Sequence, residues 1–160
     1  MKSFLFTTLA VIVPTAALAA APTSLGTFGD WTAATYGTGA AKACYAFTTA
    51  QTSAPTIAGR SAAMLVVTER KTGHDEVTLS AGFTYPAKPT VTLDIDGNDI
   101  SFYTQGQTAF TTSGAAAITA FQQGSSAKAS SSAPGGVTVI DNFSLAGFSA
   151  AYTAITTACP

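Results

Sequence analysis

His74, Asp75 and Glu76 stand together, with Glu69 five residues upstream, and side chains of these types can exchange protons or ligate a metal. A zinc site needs three or four converging ligands, and a single histidine among solvated carboxylates supplies too few. A hairpin loop between strands ending at Arg70 and starting at Glu76 accounts for the same residues. The run Asp94-Ile95-Asp96-Gly97-Asn98-Asp99 is the other metal candidate, because Asp94, Asp96, Asn98 and Asp99 could offer oxygens to calcium. An EF-hand loop beginning at Asp94 would need glycine at its sixth position and glutamate at its twelfth. Asp99 and Gln105 stand there instead, so the run reads as a hairpin tip. No metal or other cofactor is expected.

Nucleophilic catalysis finds no better footing. His74 lies in a polar stretch, Gly-x-Ser-x-Gly is absent, and Gly37-Thr38-Gly39 lacks the lysine of a phosphate loop. Two carboxylates suffice for a glycosidase, which leaves Asp30, Glu69, Glu76 and Asp141 as candidates for a carboxylate-based hydrolase acting on an envelope or carbohydrate substrate. Asn142-Phe143-Ser144 matches the glycosylation sequon, with nothing in its strand context to favour use. Trp31, Tyr36, Tyr45, Phe102, Tyr103 and Phe110 could form an exposed binding patch; in a β-sandwich most of them would be core.

Cys44 and Cys159 are the only cysteines. In an oxidising compartment an even count favours a structural disulfide over a catalytic thiol or a metal ligand. That compartment is suggested by the first residues. Lys2 precedes the apolar run Phe4 to Val13, Pro14 ends it, and Ala17-Leu18-Ala19 places small residues at −3 and −1 of a cleavage point. Residues 1–19 therefore read as a signal peptide, too short to span a bilayer, and residues 20–160 as one domain.

From Thr27 onward the apolar period is two, broken by Gly, Pro, Ser and Asn. Strands are expected over Phe28 to Thr35, Ala43 to Ala50, Ala62 to Thr68, Glu76 to Thr84, Val91 to Ile95, Ile100 to Thr104 and Gly136 to Phe143. Two stretches carry helical spacing. Ser113 can cap a short helix over residues 114–123 that Gly124 ends. Phe148, Tyr152, Ile155 and Cys159 line one face of a helix near residues 147–158, which points Cys159 at the sheet and at Cys44. Ser125 to Gly136 is low in complexity and reads as an exposed, mobile loop.

Charge is scarce across the 160 residues. Lys and Arg number 7 and Asp and Glu 8, while Ala and Thr number 32 and 27. A net charge of −1 gives no purchase on phosphates, which argues against a nucleic-acid partner. An apolar fraction of 47% with 10% aromatics marks a folded chain.

Taken together, Thr27 to Thr32 (TFGDWT), Asp75 to Pro86 (DEVTLSAGFTYP), the Val91 to Tyr103 hairpin and Gly147 to Pro160 (GFSAAYTAITTACP) resemble the invasion-associated locus B family of exported alphaproteobacterial proteins. The resemblance implies a mainly β, immunoglobulin-like sandwich in the periplasm or on the outer surface. For some members it also implies a link to host-cell invasion. The signal peptide, the single disulfide, the strand periodicity and the lack of a convergent catalytic set point to a non-enzymatic protein whose partner is a protein or an envelope component. Many members carry a cysteine soon after Gly-Asp-Trp, where this chain has Ala33, Ala34 and Thr35. No catalytic residues carry over from the family.

Overall fold

The computed structural model describes residues 21–160; the expected leader, residues 1–19, lies outside the described residues. The chain is mainly β. The strands are β1 (Thr23–Phe28), β2 (Trp31–Tyr36), β3 (Ala43–Thr49), β4 (Thr52–Ala54), β5 (Met64–Arg70), β6 (Gly73–Ser80), β7 (Val91–Ile95), β8 (Asn98–Gln105), β9 (Thr108–Phe110), β10 (Ser126–Ser132) and β11 (Thr138–Ser144). Helix α1 (Gly114–Gln123) follows β9, and α2 (Phe148–Ala158) closes the chain.

All strands pair antiparallel in the order β1-β2-β3-β5-β6-β9-β8-β7-β10-β11-β4. The sheet doubles over on itself into two layers at two places. In β8, Asn98 to Phe102 pairs with β7 while Tyr103 to Gln105 pairs with β9. Between β3 and β4, the Ala50 N–H donates to Ala63 O in the first layer at 2.9 Å, and the next N–H, of Gln51, donates to Asn142 O in the second at 2.8 Å. Alternation does the rest, since period two sends every second side chain inward. Leu65, Val67, Val77 and Leu79 of the first layer are buried, as are Leu93, Ala129, Val139 and Phe143 of the second. Both helices pack on the first layer, α2 over β1, β2 and β3 and α1 over β6.

Several boundaries differ from the sequence reading. Phe28 to Thr35 is two strands, because Gly29 takes a φ of +56° and turns the chain so that Phe28 pairs with Trp31. Glu76 to Thr84 shifts to Gly73–Ser80, and the turn falls at Lys71-Thr72, placing His74 within a strand. The turn expected at Asp96-Gly97-Asn98 is two residues, Asp96 and Gly97, both with positive φ, and Asn98 already pairs with Ile95 as the first residue of β8. Ser125 to Gly136 is no loop over most of its length, for Ser126–Ser132 forms β10 between β7 and β11. Ala127, Ala129 and Ser131 point inward with almost no exposure, so small residues serve where the layers approach. Ser113 occupies the N-cap position of α1 without a side-chain cap bond, while the Gly124 N–H closes the helix on Ala120 O at 2.8 Å.

The terminal helix lies as its spacing required. Phe148, Ile155 and Cys159 are buried, and Cys159 is bridged to Cys44 of β3 with a Cα–Cα distance of 5.9 Å. The bridge closes a sequence separation of 115 residues. Replacing both cysteines by serine should lower unfolding stability by about 4 to 5 kcal/mol at most, the loop-closure entropy of so long a ring. Urea denaturation of the double variant beside the oxidised chain measures this, and an unchanged midpoint would remove the bridge from the stabilising set.

Candidate functional site: an aromatic outer sheet face

The four carboxylates proposed for hydrolysis are scattered. Asp30 is exposed in the β1–β2 turn, where Gln51 donates to it at 3.4 Å. Glu76 is on the outer face of β6, paired with Arg70 at 2.7 Å. Glu69 points inward from β5, on the opposite side of the same layer, and is 1% exposed. Asp141 points inward from β11 in the other layer, its side chain fully buried. They share no cleft.

Two of them are held by unusual partners. Arg60, from the β4–β5 connection, reaches Asp141 with both terminal nitrogens at 2.9 and 2.6 Å and donates Nε–H to Ala81 O at 2.6 Å. Ser53 adds a hydroxyl donor at 2.6 Å, and the guanidinium lies 5.2 Å from the Phe83 ring centroid. Both oxygens of this buried carboxylate are engaged by donors, so the pair fastens the connection to the sandwich. Nearby, burial raises the Tyr85 hydroxyl pKa.

Glu69 lies against His74 Nδ1 at 2.8 Å and accepts the Asp75 N–H at 3.0 Å. The Tyr152 hydroxyl of α2 donates to Asp75 at 2.5 Å. This set couples the β5–β6 hairpin to the terminal helix, and it is the part of the His74 cluster that sequence reading did not see. Burial first, and then the bond to Asp75, push the Tyr152 pKa above the usual 10.0. At the β7–β8 tip, Asp94 is paired with Lys128 at 3.0 Å and accepts the Gly97 N–H at 2.8 Å. The Lys128 bond first, and then Gly97, hold its carboxyl below the usual value. Asp94 and Asp99 are directly opposed across the hairpin, and Asn98 turns back to donate to Ile95 O at 3.3 Å.

Among the described residues, no group of three or more His, Cys, Asp or Glu side chains could hold a metal. Among the described residues, the best-formed open depressions have volumes of about 170, 200 and 330 Å³. All fall at or below the small end of the range for enclosed ligand sites. Recognition chemistry is more concentrated on a surface than in a cavity.

That surface is the outer face of the first layer. Register aligns Thr32, Phe47, Val66, Thr78, Phe110 and Tyr103 in one row across β2, β3, β5, β6, β9 and β8. Because directly paired residues share a face, all six point outward, away from Leu65, Val67, Val77 and Leu79. Tyr103 and Phe110 stack with centroids 5.6 Å apart and planes at 21°, Tyr45 and Phe47 at 6.1 Å and 28°. Tyr103 is 57% exposed and Tyr36, at the near edge, 45%. The expectation that most candidate aromatics are core is therefore corrected. Trp31 and Phe102 are core, but Tyr36, Tyr45, Phe110 and Tyr103 share the outer face. Phe47 joins them, unforeseen because it adjoins the buried Ala46 and Thr48 on a strand whose inner face is also apolar.

The family profile described as "Invasion associated locus B (IalB) protein" matches residues 31–156. The fold is similar to the crystal structure of invasion associated protein B from Bartonella henselae, with a TM-score of 0.61 and 18% identity over 83% of this chain and 96% of that one. No curated protein sequence matches the chain. Among the described residues, no helix is long and apolar enough to cross a membrane.

Arg60→Met should cost about 3 to 5 kcal/mol by stranding the buried Asp141 charge, whereas Arg70→Ala, breaking an exposed pair, should cost less than about 1 kcal/mol. Urea midpoints of the two variants decide this, and equal midpoints would contradict it. A tyrosine with a raised folded pKa stays protonated after the unfolded chain has ionised. Its contribution is full below pH 10 and declines as pH rises beyond that value. Tyr152→Phe should therefore flatten the alkaline decline in stability seen by chemical denaturation between pH 9 and 11; an unchanged slope would assign the decline elsewhere.

Proposed function

The chain belongs to the invasion associated locus B family, and from that premise we propose that it is an exported envelope protein that works by binding, not by catalysis. The reading places it in the periplasm or on the outer surface after removal of residues 1–19, with a protein or envelope component as its partner. The leader-like sequence and the Cys44–Cys159 bridge support export. The dispersal of Asp30, Glu69, Glu76 and Asp141 supports binding over hydrolysis. The Bartonella henselae neighbour is an invasion associated protein, which supports a host-facing or virulence-associated role for this one.

The observation that carries the binding reading is the aromatic row on the outer face. Tyr103 is exposed, and its row neighbours Phe110 and Phe47, with Tyr45 beside them, are only half-buried, so part of their apolar surface stays in contact with water. A recognition surface accounts for that exposure.

Two measurements test the proposal. Expression of the full chain in an alphaproteobacterial host, followed by fractionation and intact mass, should find a bridged chain beginning at Ala20 outside the cytoplasm. A full-length, reduced protein in the cytoplasm would overturn the export. Purified protein should sediment with isolated envelopes or host membranes, and Tyr103→Ala with Phe110→Ala should weaken that association several-fold. Equal sedimentation of the variant and the parent would remove the outer face from the function.

A further inference from the structure

We propose that the outer face of the first layer is a site for a neutral glycan chain, a ligand class that deepens the binding reading above and rests on it. Shape is the first argument. Phe47 on β3 and Tyr103 on β8 are four strand spacings apart, so the row runs roughly 19 Å across a sheet surface at about 4.8 Å per strand. Two stacked aromatic pairs stand toward its ends, with Val66 and Thr78 between them. With Tyr45 one row to one side and Thr49, Ser80 and Thr108 one row to the other, the aromatic and hydroxyl groups form an elongated band across these strands. It suits a narrow, extended ligand a few sugar units long.

Charge is the second argument. On this face the ionised side chains are Arg70 and Glu76, and each neutralises the other at 2.7 Å. Neither an acidic polysaccharide nor an anionic headgroup gains Coulomb attraction there, since binding such polyanions depends on unpaired Lys and Arg. A neutral ligand loses nothing by that lack.

The third argument is the pairing of apolar and hydroxyl groups. The faces of aromatic rings carry negative charge density, which attracts the weakly positive C–H bonds on the flat side of a pyranose. A sugar's hydroxyls need hydrogen-bond partners around that contact. Thr32 and Thr78 within the row, and Thr49, Ser80 and Thr108 in the neighbouring row paired with Met64 and Gln105, supply them from the same face. Water-competent hydroxyls at the rim and aromatic rings at the ends match the two sides of a neutral sugar.

The test uses the full-length mature chain with its disulfide intact. Binding by calorimetry and by ¹⁵N-detected chemical-shift mapping is measured for cello-, laminari-, malto- and chito-hexaose. Heparin and zwitterionic phosphatidylcholine vesicles serve as the other arms. The expected result is saturable binding to at least one neutral hexaose, little changed between 50 and 500 mM salt, with shifts confined to β3, β5, β6, β8 and β9. Tyr103→Ala, at an exposed position that the fold does not need, and Tyr103→Ala with Phe110→Ala should weaken it, the double variant by about tenfold. Lys128→Ala, on the other layer, should not. The proposal is overturned if no hexaose binds, if the variants bind as the parent does, or if heparin or vesicles bind instead. If envelope association is lost in the aromatic variants while no hexaose binds, the outer face remains a recognition surface and only the ligand class falls.

Discussion

Trp31 is the residue on which the two layers and both helices converge. Its side chain is fully buried, its indole N–H donates to Ser144 O of β11 at 3.0 Å, and its ring meets Phe148 of α2 at 4.9 Å and Phe121 of α1 at 6.3 Å. A buried indole needs that acceptor, because an unpaired donor in an apolar interior would cost about as much as the packing contributes. The bond is reached only if the β1–β2 turn lies directly against the turn before α2. Two glycines allow it: a Cβ on Gly147 (φ +89°) would stand 1.9 Å from Phe28 O, and one on Gly29 (φ +56°) 2.6 Å from Ala146 O. The Asp30 N–H then donates to Ala146 O at 3.0 Å. Phe28-Gly29-Asp30-Trp31 is thus a docking motif, with the role of each residue set by how closely two backbones approach.

The disulfide fixes the opposite end of the same helix. Trp31 and Phe148 hold the start of α2, Cys159 and Cys44 its end, and Tyr152 ties its middle to Asp75. Between these anchors the helix covers the inner side of β1, β2 and β3 where the second layer does not reach. The first layer is therefore covered on one face by α1, α2 and the second layer, and on the other face by nothing in the described chain. The aromatic row lies on that uncovered face. Scarcity of charge has the same geometry, since Arg60 and Asp141 are consumed inside the sandwich, Glu69 is buried, and Arg70 pairs with Glu76. A neutral outer surface follows from where the few charges went as much as from how few there are.

Legibility in the sequence varied with the kind of signal. The Val91 to Tyr103 hairpin was readable because alternation and an Asp-Gly turn agree, and α2 because four residues share one helical stripe. Strand β10 was not, since its inner residues Ala127, Ala129 and Ser131 are small and stand in a run of serines that marks no apolar face; its burial comes from Val91, Leu93, Val139 and Phe143 on the neighbouring strands. Asp141 looked like one more surface carboxylate, because nothing near it in sequence announces Arg60, 81 residues away. The aromatics of β3, β8 and β9 fit either an exposed patch or the core by sequence, because hydrophobicity alone does not say which of two faces a strand turns inward.

Sequence by itself determined the local chemistry of this protein: strands where apolar residues recur at period two, helices where they recur at three and four, one possible cysteine pairing, and family membership through short motifs. These depend on neighbours within a few residues, or on a count, and need no third dimension. Tertiary structure alone decided which charges are buried and paired, and which face of each strand is inside. Those outcomes depend on register between strands distant in the chain. One step of register exchanges the two faces, so it is the pairing of Phe47 with Val66, Thr78 with Phe110, and Phe110 with Tyr103 that turns scattered aromatics into a single outward surface.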